Sequence, residues 1–198
     1  MAAPIPLRRR EPPRAPSRRE LVPSPVLAMV IFVITELMFF AGFISAFTIM
    51  RGSAVIWPPP GQPRLPVGET AFNSALLIAS GLVLFFASRR FHSQPANMRR
   101  ALLAAILLGG AFVGLQGREW VLLLAQGLTM NSSALGSFFY LIVGGHALHA
   151  VVALGVLLFL WLRMGRGSVP RPTLAAAEIF WYFVVGVWPV LYWRVYLS

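Results

Sequence analysis

Apolar residues fill five long stretches of this chain, and prolines, arginines and other polar residues gather in the gaps between them. The pattern predicts helices over about 26–50, 70–87, 101–125, 136–163 and 173–197. Each is near the roughly 20 residues a helix needs to cross a bilayer. The fourth, Gly136 to Arg163, would measure about 42 Å at 1.5 Å rise per residue, so it must tilt or project. The expected fold class is all-α, an integral membrane bundle of five transmembrane helices.

The breaks are chemically distinct. Arg51 and Gly52 end the first span, and prolines 58, 59, 60 and 63 in WPPPGQPRLPVG forbid a regular hydrogen-bond ladder in the loop that follows. Trp57 in that loop suits the membrane interface, one end apolar and the other wet. Glu69 stands near the start of the second span, where negative charge complements the helix dipole. The fourth span places Gly144 and Gly145 just before His146 and His149, two histidines three residues apart on one face, and a polar face of small residues points at protein. Residues 1–25, rich in proline and arginine, have little to bury and predict a disordered basic arm. The apolar run after it is longer than a signal-peptide core and includes Glu36, which favours an uncleaved first helix.

Composition sharpens this. The chain is 58% hydrophobic and 12% charged, with mean hydropathy +0.73, which excludes an ordinary soluble domain. It has no cysteine, so disulfides and thiolate-ligated metal centres are excluded. The net charge of +11 comes from arginine alone. In a soluble protein it would suggest nucleic acid; here the arginines fall between the spans, and orientation in the bilayer explains them better. The arm, the turn after the second span and the turn after the fourth hold thirteen of them, from Arg8 to Arg171, whereas Arg51, Arg64 and Arg194 flank the opposite side. Basic loops stay inside, so the N-terminus is expected in the cytoplasm and the C-terminus on the periplasmic or outer side of a cell inner membrane.

An ionisable group at the centre of a span costs about 3 kcal/mol on insertion scales and demands a partner or a use. Glu36 lies near the middle of the first span and His146 near the middle of the fourth. Arg118 and Glu119 diverge by about 100° and should pair with other helices rather than each other. Glu178, near the inner end of the fifth span, is expected to be solvated. Two histidines on one helix face cannot take opposite sides of one haem iron, and His92 belongs to the inner turn. Two histidines plus Glu36 or Glu119 would suit a metal by ligand type; a structural hydrogen-bond network is the better reading. No phosphate loop, nucleophile motif or HExxH pattern occurs, so an autonomous hydrolase or ATPase lacks support.

Taken in order, ITELMFFAGF (34–43), WPPPG (57–61), FNSALLIASG (72–81), LQGREW (115–120), GSFFYLIVGGHALHAV (136–151) and FWYFVVGVW (180–188) resemble the signature stretches of subunit III of haem-copper respiratory oxidases, in its short, five-helix form. The resemblance covers nearly the whole chain from residue 30. It implies a non-catalytic subunit of a proton-pumping terminal oxidase, binding no haem or copper itself, with those cofactors in partner chains and phospholipid bound. Its expected partners are the catalytic haem-copper subunit I, subunit II and membrane lipids, with no nucleic acid. Residue by residue, Glu36 matches the carboxylate of the family's ExMFF motif, Asn73 and Ser80 its polar positions on the next helix, Glu119 the carboxylate before an aromatic, and His146 and His149 its GxHxLH pair. These six are the expected intramembrane structural or lipid-contact residues. Glu36 is expected to meet His146 or His149 and to serve packing rather than a proton wire. The last helix departs from the family pattern WHFVDxVW, with Tyr182 in place of the histidine and Val185 in place of the aspartate, and Pro189 removes a helical hydrogen bond. Losing both members of a polar pair can be nearly neutral where losing one is costly. Subunit III of a quinol oxidase, or an accessory protein of a nitric oxide reductase, would fit the same resemblance. A small channel or transporter, using Glu36, Arg118, Glu119 and His146 as its path, is the alternative of another class; neither an inverted repeat nor a matched pair of broken helices supports it.

Overall fold

The computed structural model describes residues 22–90 and 94–197. Most of the predicted basic arm, together with His92, lies outside them. Five α-helices run in order: α1 Ser24–Gly52, α2 Val67–Arg90, α3 Pro95–Ala125, α4 Ala134–Arg166 and α5 Arg171–Leu191, the last continuing through a π-helical turn, Tyr192–Leu197. All five are long and apolar enough to cross a membrane, and there is no strand among the described residues.

The helices outrun the apolar segments that predicted them. Helix α3 begins at Pro95 rather than near residue 101, and α4 extends from Ala134 to Arg166. Helical hydrogen bonding does not stop where apolar character stops. Proline at the first turn, where no intrahelical partner exists for its missing N–H, opens α1, α3 and α5. At α4 the Ser133 side chain caps the helix by accepting from the Gly136 N–H at 3.1 Å. A Cβ at Gly136 would collide with the Thr129 carbonyl, so this tight entry admits only glycine. The loop between α1 and α2 folds back on the bundle, with Trp57 against Phe47 and the Arg51 guanidinium 5.4 Å from the Trp57 ring.

Helix α5 is the centre of the bundle and packs against α1, α2 and α4, while α2 pairs mainly with α3. Of the most apolar stretch of each helix, 56% is buried for the segment containing α5 but only 6% for α1, so α1 is an outlying helix. Trp181 and Trp188, seven residues apart on one face of α5, are both fully buried. Helix α3 comes close at Gly109, where a Cβ would lie 2.6 Å from the Trp181 ring. The core therefore depends on a glycine in α3 meeting an indole of α5.

Candidate functional site

Without water to satisfy them, polar groups in the bundle must find partners on neighbouring helices. Most converge in three places.

On the α2–α3 side, Glu119 is 2% exposed. Its carboxylate accepts from Thr70 Oγ1 at 2.8 Å and Gln116 Nε2 at 2.8 Å on one oxygen, and from Asn73 Nδ2 at 2.7 Å on the other. Gln116 Nε2 also donates to the Tyr196 hydroxyl of the π-helical turn, at 3.2 Å. Three neutral donors thus surround a buried carboxylate, with no cation in the set. Arg118, next in sequence, turns outward to Glu69 of α2 at 3.9 Å, in a pair whose side chains are 67% and 60% exposed.

Between α2, α3 and α5, hydroxyls take up the indoles. Trp181 Nε1 donates to Ser80 Oγ, which in turn donates to the Ala105 carbonyl of α3. Trp188 Nε1 donates to Ser74 Oγ at 2.7 Å, and Ser74 donates to the Thr70 carbonyl. A serine in a helix has a backbone carbonyl one turn back within reach, so its oxygen remains free to accept an indole N–H.

Between α1 and α4, Glu36 Oε2 lies 3.1 Å from His149 Nε2, with side chains 21% and 15% exposed. His149 Nδ1 is 2.7 Å from the Gly145 carbonyl, one turn back. A carbonyl only accepts, so this contact places the Nδ1 proton toward Gly145 and leaves Nε2 facing the carboxyl. Phe40, Phe180 and Phe183 close around the imidazole at centroid distances of 5.5–6.3 Å.

His146 does not join this pair. It is 1% exposed and packs on the Trp188 ring, with centroids 4.9 Å apart. One helix face holds both histidines, yet the 60° between them suffices to send one toward α1 and the other toward α3 and α5. Among the described residues, no group of three or more His, Cys, Asp or Glu side chains comes together as a metal site.

In the second turn of α5, Glu178 is 8% exposed and accepts from Ser88 Oγ of α2 at 2.8 Å, so the expected solvation does not occur. Its rotational position on α5 turns it into the α2 contact, which depth alone did not reveal. Val185 packs its methyls on Gly81 of α2. The position that resembles the family's aspartate is thus an apolar helix contact here.

Residues 24–198 match the family model described as Cytochrome c oxidase subunit III. The chain belongs to the cytochrome c oxidase subunit III family. Relatives include a cytochrome c oxidase subunit 3 of Thermostichus vulcanus, 29% identical over 87% of this chain and 86% of that protein, and a probable cytochrome c oxidase subunit 3 of Nocardia farcinica, 34% identical over 84% of each. A cytochrome c oxidase subunit 3 of Lemur catta is 34% identical over 85% of this chain but only 64% of its own length. The chain is accordingly a multi-pass membrane protein, a subunit III of a respiratory terminal oxidase. Of the six residues picked out by the resemblance to this family, Asn73 and Glu119 meet in one cluster and Glu36 and His149 in a second, while Ser80 holds Trp181 and His146 stands alone. Sequence reading overlooked Thr70, Ser74, Gln116 and Tyr196. Thr70, at the fourth position of α2, and Gln116, three residues before Glu119 on α3, were the two with a usable spacing signal.

Proposed function

We propose that this chain is the non-catalytic brace of a proton-pumping haem-copper oxidase. It binds alongside the catalytic subunit I, with subunit II in the same complex, and supports the lipid and proton-entry surroundings of the redox centres. Haem and copper reside in those partners, and this chain contributes packing and lipid contacts. The basic arm, 1–25, and the arginine-rich turns after α2 and α4 face the cytoplasm, and the C-terminus faces the periplasm.

The observation that carries the reading is that Glu119 and Glu36 each close on partners within the chain. Glu119 is ringed by neutral donors and Glu36 is matched to one imidazole. Both arrangements join helices, and no hydrogen bond among the described residues connects one to the other. A channel through Glu36, Arg118, Glu119 and His146 has less support, because Arg118 faces outward and the other three are in separate clusters.

Mild solubilisation should yield the chain with a haem-containing partner, and the separated subunit should show no Soret band. Glu36→Gln retains a donor for His149 and abolishes titration, so the complex should assemble and consume oxygen at close to its normal initial rate. Full assembly with lost turnover would overturn the bracing role and favour proton transfer through this chain. Stoichiometric metal that disappears in a His146→Ala/His149→Ala double variant would overturn the metal-free reading.

A further inference from the structure

At the end of the bundle that carries the C-terminus, a pocket of about 280 Å³ opens between the α1–α2 loop, the first turns of α2 and α4, and the π-helical turn. Leu135, Val195 and Tyr196, all buried, form its floor. Trp57, Pro58 and Pro63 wall it, and the proline rings offer carbon surface and no N–H. The loop is tied down on three sides. Trp57 packs on Phe47 of α1, Gln62 Oε1 accepts from Ser132 Oγ at 3.1 Å, and the Val67 carbonyl, where the loop runs into α2, accepts from the Tyr192 hydroxyl at 3.0 Å. The pocket is therefore preformed, as apolar binding pockets usually are.

Its lip carries a cation. Arg64 is exposed, and no ion pair or hydrogen bond engages it among the described residues. Glu69, the exposed carboxyl nearest to it in sequence, faces Arg118 instead, at 3.9 Å. A guanidinium presents a fork of donors that matches a carboxylate. An apolar hollow beside an unspent cation calls for a ligand with the same division, an apolar group next to a negative charge. Position narrows the source. Helix ends and an extramembrane loop build the pocket, so an acyl chain would have to leave the hydrocarbon to fill it, whereas a side chain from outside the membrane reaches it directly.

We propose that this pocket seats an apolar side chain from an acidic extramembrane segment of a neighbouring oxidase subunit, with Arg64 pairing the adjacent carboxylate; this rests on the reading of the chain as a subunit of that complex. The buried anchor supplies affinity, and the charge at the rim selects the partner and its register. The occupant packs on the Tyr196 ring, whose hydroxyl is held by Gln116 in the Glu119 cluster, so a neighbour docked at the membrane surface bears on the polar network inside the bundle.

Photo-crosslinking in the intact membrane-bound complex tests this. Benzoylphenylalanine installed at Val67, on the rim of the pocket, should on illumination join this chain to an extramembrane segment of a subunit that co-purifies with it, and peptide mapping should place the link beside an Asp or Glu. Arg64→Glu should lower the yield of that link several-fold in complex recovered at normal abundance, and replacing the mapped acidic residue of the partner by arginine should restore it. A yield that Arg64→Glu leaves unchanged, a link to phospholipid or to a second copy of this chain, or no link in a complex that still contains its haem-bearing partner would overturn the docking proposal. A chain that purifies without any haem-bearing partner would instead overturn the subunit reading beneath it.

Discussion

Glu119 and Glu36 are both carboxyls inside the membrane, and the bundle accommodates them in opposite ways. Glu119 is enclosed and held by Thr70, Asn73 and Gln116, so its two oxygens tie α3 to α2 and, through Gln116, to the π-helical turn. Glu36 is on the outlying helix, partly exposed, and has one partner, His149, whose Nε2 faces it at 3.1 Å. The difference follows from position. A carboxyl among three helices collects several neutral donors, whereas a carboxyl on a helix that touches the bundle along one face meets a single titratable group. The first arrangement makes Glu119 a structural hub, and the second makes Glu36 a latch for α1.

The contrast is broken most directly at the hub. Glu119→Leu would strand buried donors on Asn73 and Gln116, at about 1–3 kcal/mol each. We expect a loss of several kcal/mol, read as near absence of the subunit from the purified complex. Retention at normal abundance would show that Glu119 organises nothing. Gly109→Ala pushes a methyl into Trp181 and should destabilise by about 1–3 kcal/mol through overpacking, seen as earlier thermal release of the subunit. An unchanged melting profile would mean that the α3–α5 contact is looser than its geometry indicates.

At the latch the effect should be smaller. Glu36→Leu leaves His149 Nε2 without its partner, but the site is partly exposed and α1 keeps its Phe40 and Phe47 contacts, so about 1–2 kcal/mol is expected. The readout is easier proteolytic or detergent release of α1; a cost equal to that of Glu119→Leu would erase the distinction between hub and latch. The smallest effect belongs to the exposed Arg118–Glu69 pair, where Arg118→Ala should change stability by no more than about 0.5 kcal/mol. A larger loss would place Arg118 in a contact with another chain.

How much of this was legible differs from residue to residue. The depth of Glu36 and His146 could be counted from the ends of their apolar runs, because bilayer thickness sets span length independently of tertiary packing. The same count misjudged Glu178, since depth does not reveal rotation about the helix axis, and rotation carries this carboxyl to Ser88. Spacing brought His146 and His149 to one face but left open which of them meets Glu36. Ser74 and Tyr196 carried little signal, since lone hydroxyls are common in membrane helices and their importance depends on what stands opposite.

The sequence by itself determined the number of membrane helices, the sidedness expected of the loops and, through its motifs, the resemblance to subunit III, because these depend on apolar length, arginine placement and local pattern. The tertiary structure decided which polar groups are partners. It seated α5 at the centre, left α1 at the edge, brought Gly109 under Trp181, gave Glu36 to His149 and separated His146 from both. Those outcomes depend on helix rotation and on which faces interlock, and both are set by side-chain packing across helices far apart in the chain.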